Sequence, residues 1–86
     1  MRHMRQKLHS IANIGLDIWD NLDNLEQILL TYMINRGPAS RSELANYTNK
    51  SIGTIVKRLN NLLKMGLIDA EGKTYAPNRT YKFIFR

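Results

Sequence analysis

The side chains with the clearest chemistry in this 86-residue chain lie between Ser51 and Lys64. At the 3.6-residue period of a helix, the apolar residues of this segment share one broad side. The other side is basic and rich in amides, and it holds Gly53, Lys57, Asn60 and Lys64, with Asn61 nearby and Thr54 and Arg58 along one margin. Lysines contact phosphates, whereas amides and hydroxyls contact base edges, so this side suits the major groove of DNA. Gly53 has no side chain and would let the backbone approach closely.

A helix with this outer face needs neighbours that hold it in place. A shorter helix is predicted just before it, because Ser40 is a good N-cap and Glu43 stands where a capping-box carboxylate belongs. Asn49 is suited to the left-handed conformation of a tight turn between the two helices. Ser51 then caps the second helix, and Gly66 ends it. The pattern is that of two helices joined by a turn.

An ordinary helix is predicted upstream, between Leu22 and Gly37. Asp23 caps it, Glu26 completes a D-x-x-E capping box, and Gly37 with Pro38 ends it. We expect its core stripe to contain Leu25, Ile28, Leu29, Tyr32 and Met33, with Leu30 and Ile34 on the other side. A helix that is apolar on two faces is usually covered on both.

A β-hairpin is predicted at the end of the chain. Its strands are 67–70 and 80–85, in which β-forming residues alternate. The segment between the strands contains turn residues and the cations Lys73 and Arg79.

These motifs resemble those of the winged helix-turn-helix domains of MarR-like and related prokaryotic, plasmid and phage regulators. The residues that carry the resemblance are Ser40–Ala45, Ser51–Ile55 and Lys64–Ile68, and with the flanking helix and hairpin it extends from about Asp23 to Phe85. The resemblance implies a mainly α fold with a small β-hairpin (α+β), and binding to double-stranded DNA. It also implies that Ala39 pairs as a short strand with the hairpin.

The resemblance implies which residues meet DNA. The recognition helix 51–64 would enter the major groove, and the wing 71–80 would lie on the flanking backbone or minor groove. The candidate DNA-binding residues are Arg41, Ser42, Lys50, Ser51, Gly53, Thr54, Lys57, Arg58, Asn60, Asn61, Lys73 and Arg79. Arg58 stands where many family members bury an aliphatic side chain, so it is either a phosphate contact or the partner of an acidic group. Arg79 is either a wing contact or an exposed loop cation.

The charge of the chain agrees with this interpretation. Its net charge is +6, and the excess is concentrated downstream: residues 36–86 hold ten Lys or Arg against three acids. A basic patch on such a motif is typical of nucleic-acid binders. The sequence contains no cysteine, so a disulfide and a thiolate metal site are excluded, and no apolar run is long enough to span a bilayer. We expect a cytoplasmic, nucleoid-associated protein without a cofactor.

Residues 1–14 can form an amphipathic helix. We divide the chain into an N-terminal arm, 1–21, and a winged helix-turn-helix domain, 22–86. The arm could pack on its own domain, join two copies into a homodimer, or lie on a membrane surface, and we favour the homodimer. A domain of this size has a marginal core by itself, which also favours association.

No catalytic arrangement is visible, and we expect no enzymatic activity. His3 and His9 have no nearby acid, and capping explains the acids at 17, 20 and 23 better than a divalent ion does. The favoured function is a dimeric transcriptional regulator. The alternatives are a plasmid or phage partition (centromere-binding) or replication protein, and a winged-helix scaffold for protein interactions.

Overall fold

The computed structural model describes residues 16–72 and 79–84. Its elements are α1 Leu16–Asn21, α2 Asn24–Arg36, β1 Ala39–Ser40, α3 Arg41–Thr48, α4 Ile52–Lys64, β2 Ile68–Glu71 and β3 Thr80–Phe83. The amphipathic helix predicted for residues 1–14 and the wing segment with Lys73 lie outside the described residues.

The three strands form one antiparallel sheet in the order β1-β3-β2. β2 and β3 are the predicted hairpin, and they pair from Ile68 opposite Phe83 to Glu71 opposite Thr80. β1 adds to the other edge of β3, with Ala39 opposite Tyr81. The expected fold class, mainly helical with a small sheet, is therefore confirmed, as is the strand pairing of Ala39.

The N-terminus of α2 has the predicted capping box. The Asp23 carboxylate accepts a hydrogen bond from the Glu26 backbone N–H at 2.7 Å, and the Glu26 carboxylate accepts one from the Asp23 N–H at 3.1 Å. The helix ends at Gly37, whose φ of 85° is accessible to glycine at little cost. The predicted cap at Asp23 and stop at Gly37 are thus confirmed, and the helix itself runs from Asn24 to Arg36.

The core face of α2 is rotated from the predicted stripe. Leu29, Leu30 and Met33 are buried, whereas Ile28 is 37% exposed and Leu25 is only half-buried. The prediction placed Leu30 on the far side of the helix and was wrong for this residue. The reason is that α2 packs on both β3 and α4, and these two elements together turn the Leu30 side of the helix inward.

The two helices of the helix-turn-helix begin and end largely as predicted. Ser40 accepts a hydrogen bond from the Glu43 N–H at 3.1 Å, and Asn49 adopts the left-handed conformation with φ 59°. The second half of the capping box predicted at Glu43 is not formed, and the Glu43 carboxylate accepts a hydrogen bond from the Tyr32 hydroxyl. A contact between helices has thus replaced a local one.

The end of α4 is a Schellman motif built on Gly66. The Gly66 N–H donates to the Leu63 carbonyl at 3.0 Å, the Leu67 N–H donates to the Leu62 carbonyl at 3.1 Å, and Gly66 has φ 73°. This turn directs the chain from α4 straight into β2. It therefore fixes the recognition helix relative to the sheet.

Candidate nucleic-acid interface

The orientation of α4 is set by its buried side. Ile55, Leu59 and Leu62 have no exposed surface. They pack in one cluster with the core residues of α2, α3 and the sheet. Burying a side chain of this size stabilises the fold by about 1.5–3 kcal/mol, so rotating the helix outward would lose the free energy of burial of all three side chains. The opposite side must therefore face solvent.

The outward side of α4 carries the residues that the helical period placed there. Gly53, Lys57, Asn60 and Lys64 are all exposed. A Cβ added at Gly53 would meet nothing within 4 Å, so neither its position nor its backbone conformation requires a glycine. Ile52 is 47% exposed although the helical period placed it on the apolar side; it is the first residue of α4.

The start of α4 is held by two hydrogen bonds between Ser51 and Thr54. The Ser51 hydroxyl oxygen accepts from the Thr54 N–H at 3.2 Å, and the Ser51 O–H donates to the Thr54 hydroxyl oxygen at 2.9 Å. Both side chains are exposed. The hydroxyl of Ser51 is thus already engaged as a cap, and Thr54 remains the more available hydroxyl at this end of the helix.

Arg58 lies on the margin of α4 and pairs with an acidic group. Its Nη1 is 2.5 Å from Oδ2 of Asp23, and the two side chains are 39% and 38% exposed. The sequence left Arg58 as either a phosphate contact or the partner of an acidic group, and in this structure it pairs with an acidic group. The Nε of Arg58 is buried and has no acceptor among residues 16–72 and 79–84.

Asn61 is also engaged with the start of α2. Its amide nitrogen donates to Oε2 of Glu26 at 2.6 Å. Glu26 is a buried charged residue with only 4% exposure. The Asn61 side chain nevertheless stays at the surface, next to Lys57, Asn60 and Lys64, which line one shallow cleft with it.

The remaining candidates lie on either side of α4. Ser42 and Lys50 are exposed, at the first turn of α3 and in the turn before α4, whereas Arg41 is half-buried as the first residue of α3. Arg79 leads into β3, is half-buried, and stacks its guanidinium 5.4 Å from the centre of the Tyr81 ring. Sequence reasoning did not foresee this stacking, which anchors the base of the wing.

Asp23 and Glu26 have a second role, which their spacing did not predict. Their spacing identified them as a capping box, but the same carboxylates reach α4 through Arg58 and Asn61. No local pattern could have revealed this, because Glu26 and Asn61 are 35 residues apart. The unusual Arg58 was the one available signal.

No cluster of three or more histidine or acidic side chains suited to a metal ion occurs in the part of the chain that the structure describes. None of the described helices has the length and apolarity needed to cross a membrane.

Comparison with known proteins identifies the fold and the family. The model of the family described as bacterial regulatory protein, arsR family, matches residues 26–70, which run from α2 to the first strand of the hairpin. Among solved structures, the chain is similar to the adhesin competence repressor (AdcR) from Streptococcus pyogenes, with a TM-score of 0.63 and 21% sequence identity. That likeness covers 94% of this chain and 62% of that one, so this chain spans less than two thirds of the repressor. No curated protein matches the chain.

At 21% identity the structural likeness shows the fold alone, and it confirms the winged helix-turn-helix architecture. The family match takes in more than half of the 86 residues and contains both helices of the helix-turn-helix. It places this chain in the family of bacterial regulatory proteins described as the arsR family.

Proposed function

We propose that this chain recognises specific sites in double-stranded DNA by placing α4 in the major groove. The observation that supports this most directly is the exposure of Gly53, Lys57, Asn60 and Lys64 along one side of a helix whose opposite side carries the fully buried Ile55, Leu59 and Leu62. A helix held in this way can enter the groove without repacking the core. The amide of Asn60 and the hydroxyl of Thr54 would read base edges, and the lysines would contact phosphates.

The flanking candidates would fix the register of α4 on the duplex. Ser42 lies in the first turn of α3, where backbone N–H groups and the helix dipole favour a phosphate, and Arg41 stands beside it. Lys50 is exposed immediately before α4. Arg79, oriented by Tyr81, and Lys73 would contact the backbone or minor groove from the wing.

We further propose that the regulator is a homodimer on a palindromic or repeated site. Ile18 on α1 and Ile28 on α2 are 41% and 37% exposed, so apolar side chains on these two helices lack full cover within the described chain. The amphipathic segment 1–14 directly precedes α1. A second copy joined through this region would place two recognition helices on one face of the duplex.

The test of DNA binding is a salt titration with matched variants. Lys57→Ala should weaken binding to the selected site about 10-fold and lower the salt slope by about one, because one phosphate contact is lost. Lys82→Ala is the control: it removes the same charge from β3, where Lys82 pairs with Glu71 at 3.3 Å. This control should leave both quantities unchanged. The melting temperatures of the two variants should equal that of the wild type.

Two outcomes would point to other functions. Weak wild-type binding at low salt, indifferent to sequence, would favour a protein-interaction scaffold. Selection of bound fragments from the source genome separates the remaining roles: sites flanking promoters indicate regulation, whereas tandem repeats beside a replication or segregation locus indicate partition.

A further inference from the structure

The two carboxylate oxygens of Asp23 have different partners. Oδ1 accepts the Glu26 N–H at 2.7 Å and caps α2, whereas Oδ2 meets Nη1 of Arg58 at 2.5 Å. Capping needs only an acceptor oxygen, which Asn or Ser supplies as well as Asp does. The negative charge of Asp23 is therefore not required by the helix. The group that this charge stabilises is Arg58 on α4, the recognition helix.

Arg58 stands among the candidate DNA contacts. Its side chain lines two surface clefts. One cleft is also lined by Lys57, Asn60, Asn61 and Lys64. The lining of the other cleft includes Lys50 and Thr54. A phosphate that follows the lysines of α4 would thus pass within reach of the Arg58 guanidinium.

The ion pair is of a kind that a phosphate can displace. Nη1 contacts the carboxylate, and Nε has no acceptor in the described part of the chain, so the Nε–H of the guanidinium takes no part in the pair. Both side chains are more than a third exposed, so the attraction between them is screened by solvent. A phosphate can accept two hydrogen bonds from a guanidinium at once, which makes it a strong competitor.

We propose that Asp23 competes with DNA for Arg58 and thereby sets the affinity of the regulator. In the free protein the carboxylate holds Arg58 against α2. On DNA the guanidinium exchanges Asp23 for a backbone phosphate, and the loss of the ion pair with Asp23 lowers the net gain from that phosphate contact. This inference rests on the proposed function, because it requires that α4 meet DNA.

The test is Asp23→Asn, which keeps an acceptor for the cap and removes the charge. We expect its affinity for the selected duplex at low salt to rise about 3- to 10-fold, whereas its salt slope should be unchanged, because Arg58 contacts the same phosphate in both complexes. Asp20→Asn is the matched control, since it removes an exposed charge from α1 without touching the ion pair. It should change the affinity by less than about 2-fold.

A double-mutant cycle shows whether the effect passes through Arg58. In an Arg58→Gln background, Asp23→Asn should give no gain in affinity. Asp23→Ser, which also retains a capping oxygen, serves as a second variant if the Asn protein is poorly folded.

Equal affinities of the wild type and Asp23→Asn, or a gain that persists without Arg58, would overturn the inference while leaving DNA binding by α4 intact. A wild-type protein that binds no duplex would remove the proposed function and this inference with it. The three results are distinguishable in one set of titrations.

Discussion

The amide nitrogen of Asn61, in the second half of α4, donates a 2.6 Å hydrogen bond to the buried carboxylate of Glu26 in the first turn of α2. The other oxygen of Glu26 accepts the Asp23 N–H, so a single carboxylate joins the start of one helix to the side of another. A buried carboxylate is stable only while its partners are present. The position of the recognition helix therefore depends on a capping residue of α2.

We predict that Glu26→Ala destabilises the fold by about 2–3 kcal/mol, because it removes the return bond of the capping box and leaves the Asn61 amide without its partner. Asn61→Ala should cost about 1–2 kcal/mol by leaving a buried carboxylate with one bond fewer. Urea unfolding of both single variants and of the double variant measures the coupling between them. Strictly additive losses would show that the hydrogen bond contributes nothing to the free energy of unfolding.

Gly53→Ala should move stability and DNA binding in opposite directions. A Cβ at Gly53 meets no atom within 4 Å, and alanine is the better helix former, so we expect the free energy of unfolding to rise by about 0.5 kcal/mol. Binding should weaken if the backbone at Gly53 lies close to the bases. Asn46→Ala, on an exposed part of α3, is a matched control that changes helix propensity away from the proposed contacts. Undiminished affinity of Gly53→Ala would contradict the close approach.

The hydrogen bond between Tyr32 and Glu43 predicts a dependence of stability on alkaline pH. The Glu43 carboxylate raises the pKa of the Tyr32 hydroxyl, chiefly by accepting its hydrogen bond and with help from burial, whereas Arg36 acts in the lowering direction. The folded state thus favours the protonated phenol. This contribution to stability is complete below the ordinary tyrosine pKa of about 10, and it is lost as the pH rises through the raised pKa.

The measurement is the difference in melting temperature between the wild type and Tyr32→Phe from pH 8 to pH 11. The wild type should be the more stable below pH 10, and its advantage should shrink above that pH. An advantage that is constant across the range would mean that the Tyr32 hydroxyl titrates at the same pH in the folded and unfolded chains.

Removal of residues 1–14 tests the proposed dimer. If this segment joins two copies, the truncated protein should sediment as a monomer, and its affinity for a two-half-site duplex should fall towards its affinity for a single half-site. Thermal unfolding of the truncated protein establishes that residues 15–86 still fold. A sedimentation mass that is still twice that of one truncated chain would assign dimerisation to another surface.

Most of the architecture followed from local patterns. The caps at Asp23, Ser40 and Ser51, the left-handed Asn49 and the stop at Gly66 all depend on residues within one or two turns, so spacing alone identified them. The outward side of α4 also followed from the helical period. In α4, one side is apolar and the other polar, which leaves only one stable orientation.

The sequence could not predict which side of α2 is buried or with which groups the charged side chains pair. α2 is apolar on two faces, and only the joint packing of β3 and α4 selected the one that contains Leu30. The capping box predicted a hydrogen bond from the Ser40 N–H to the Glu43 carboxylate, but this carboxylate accepts one from the Tyr32 hydroxyl.

The sequence by itself therefore determined the helices, the turn between them and the basic side of α4, since these arise from interactions between near neighbours in the chain. Only the tertiary structure decided that Arg58 faces Asp23 and that Asn61 faces Glu26. The partners in each of these pairs are some 35 residues apart, and a charged side chain bonds whichever group the packing of the core brings within its reach.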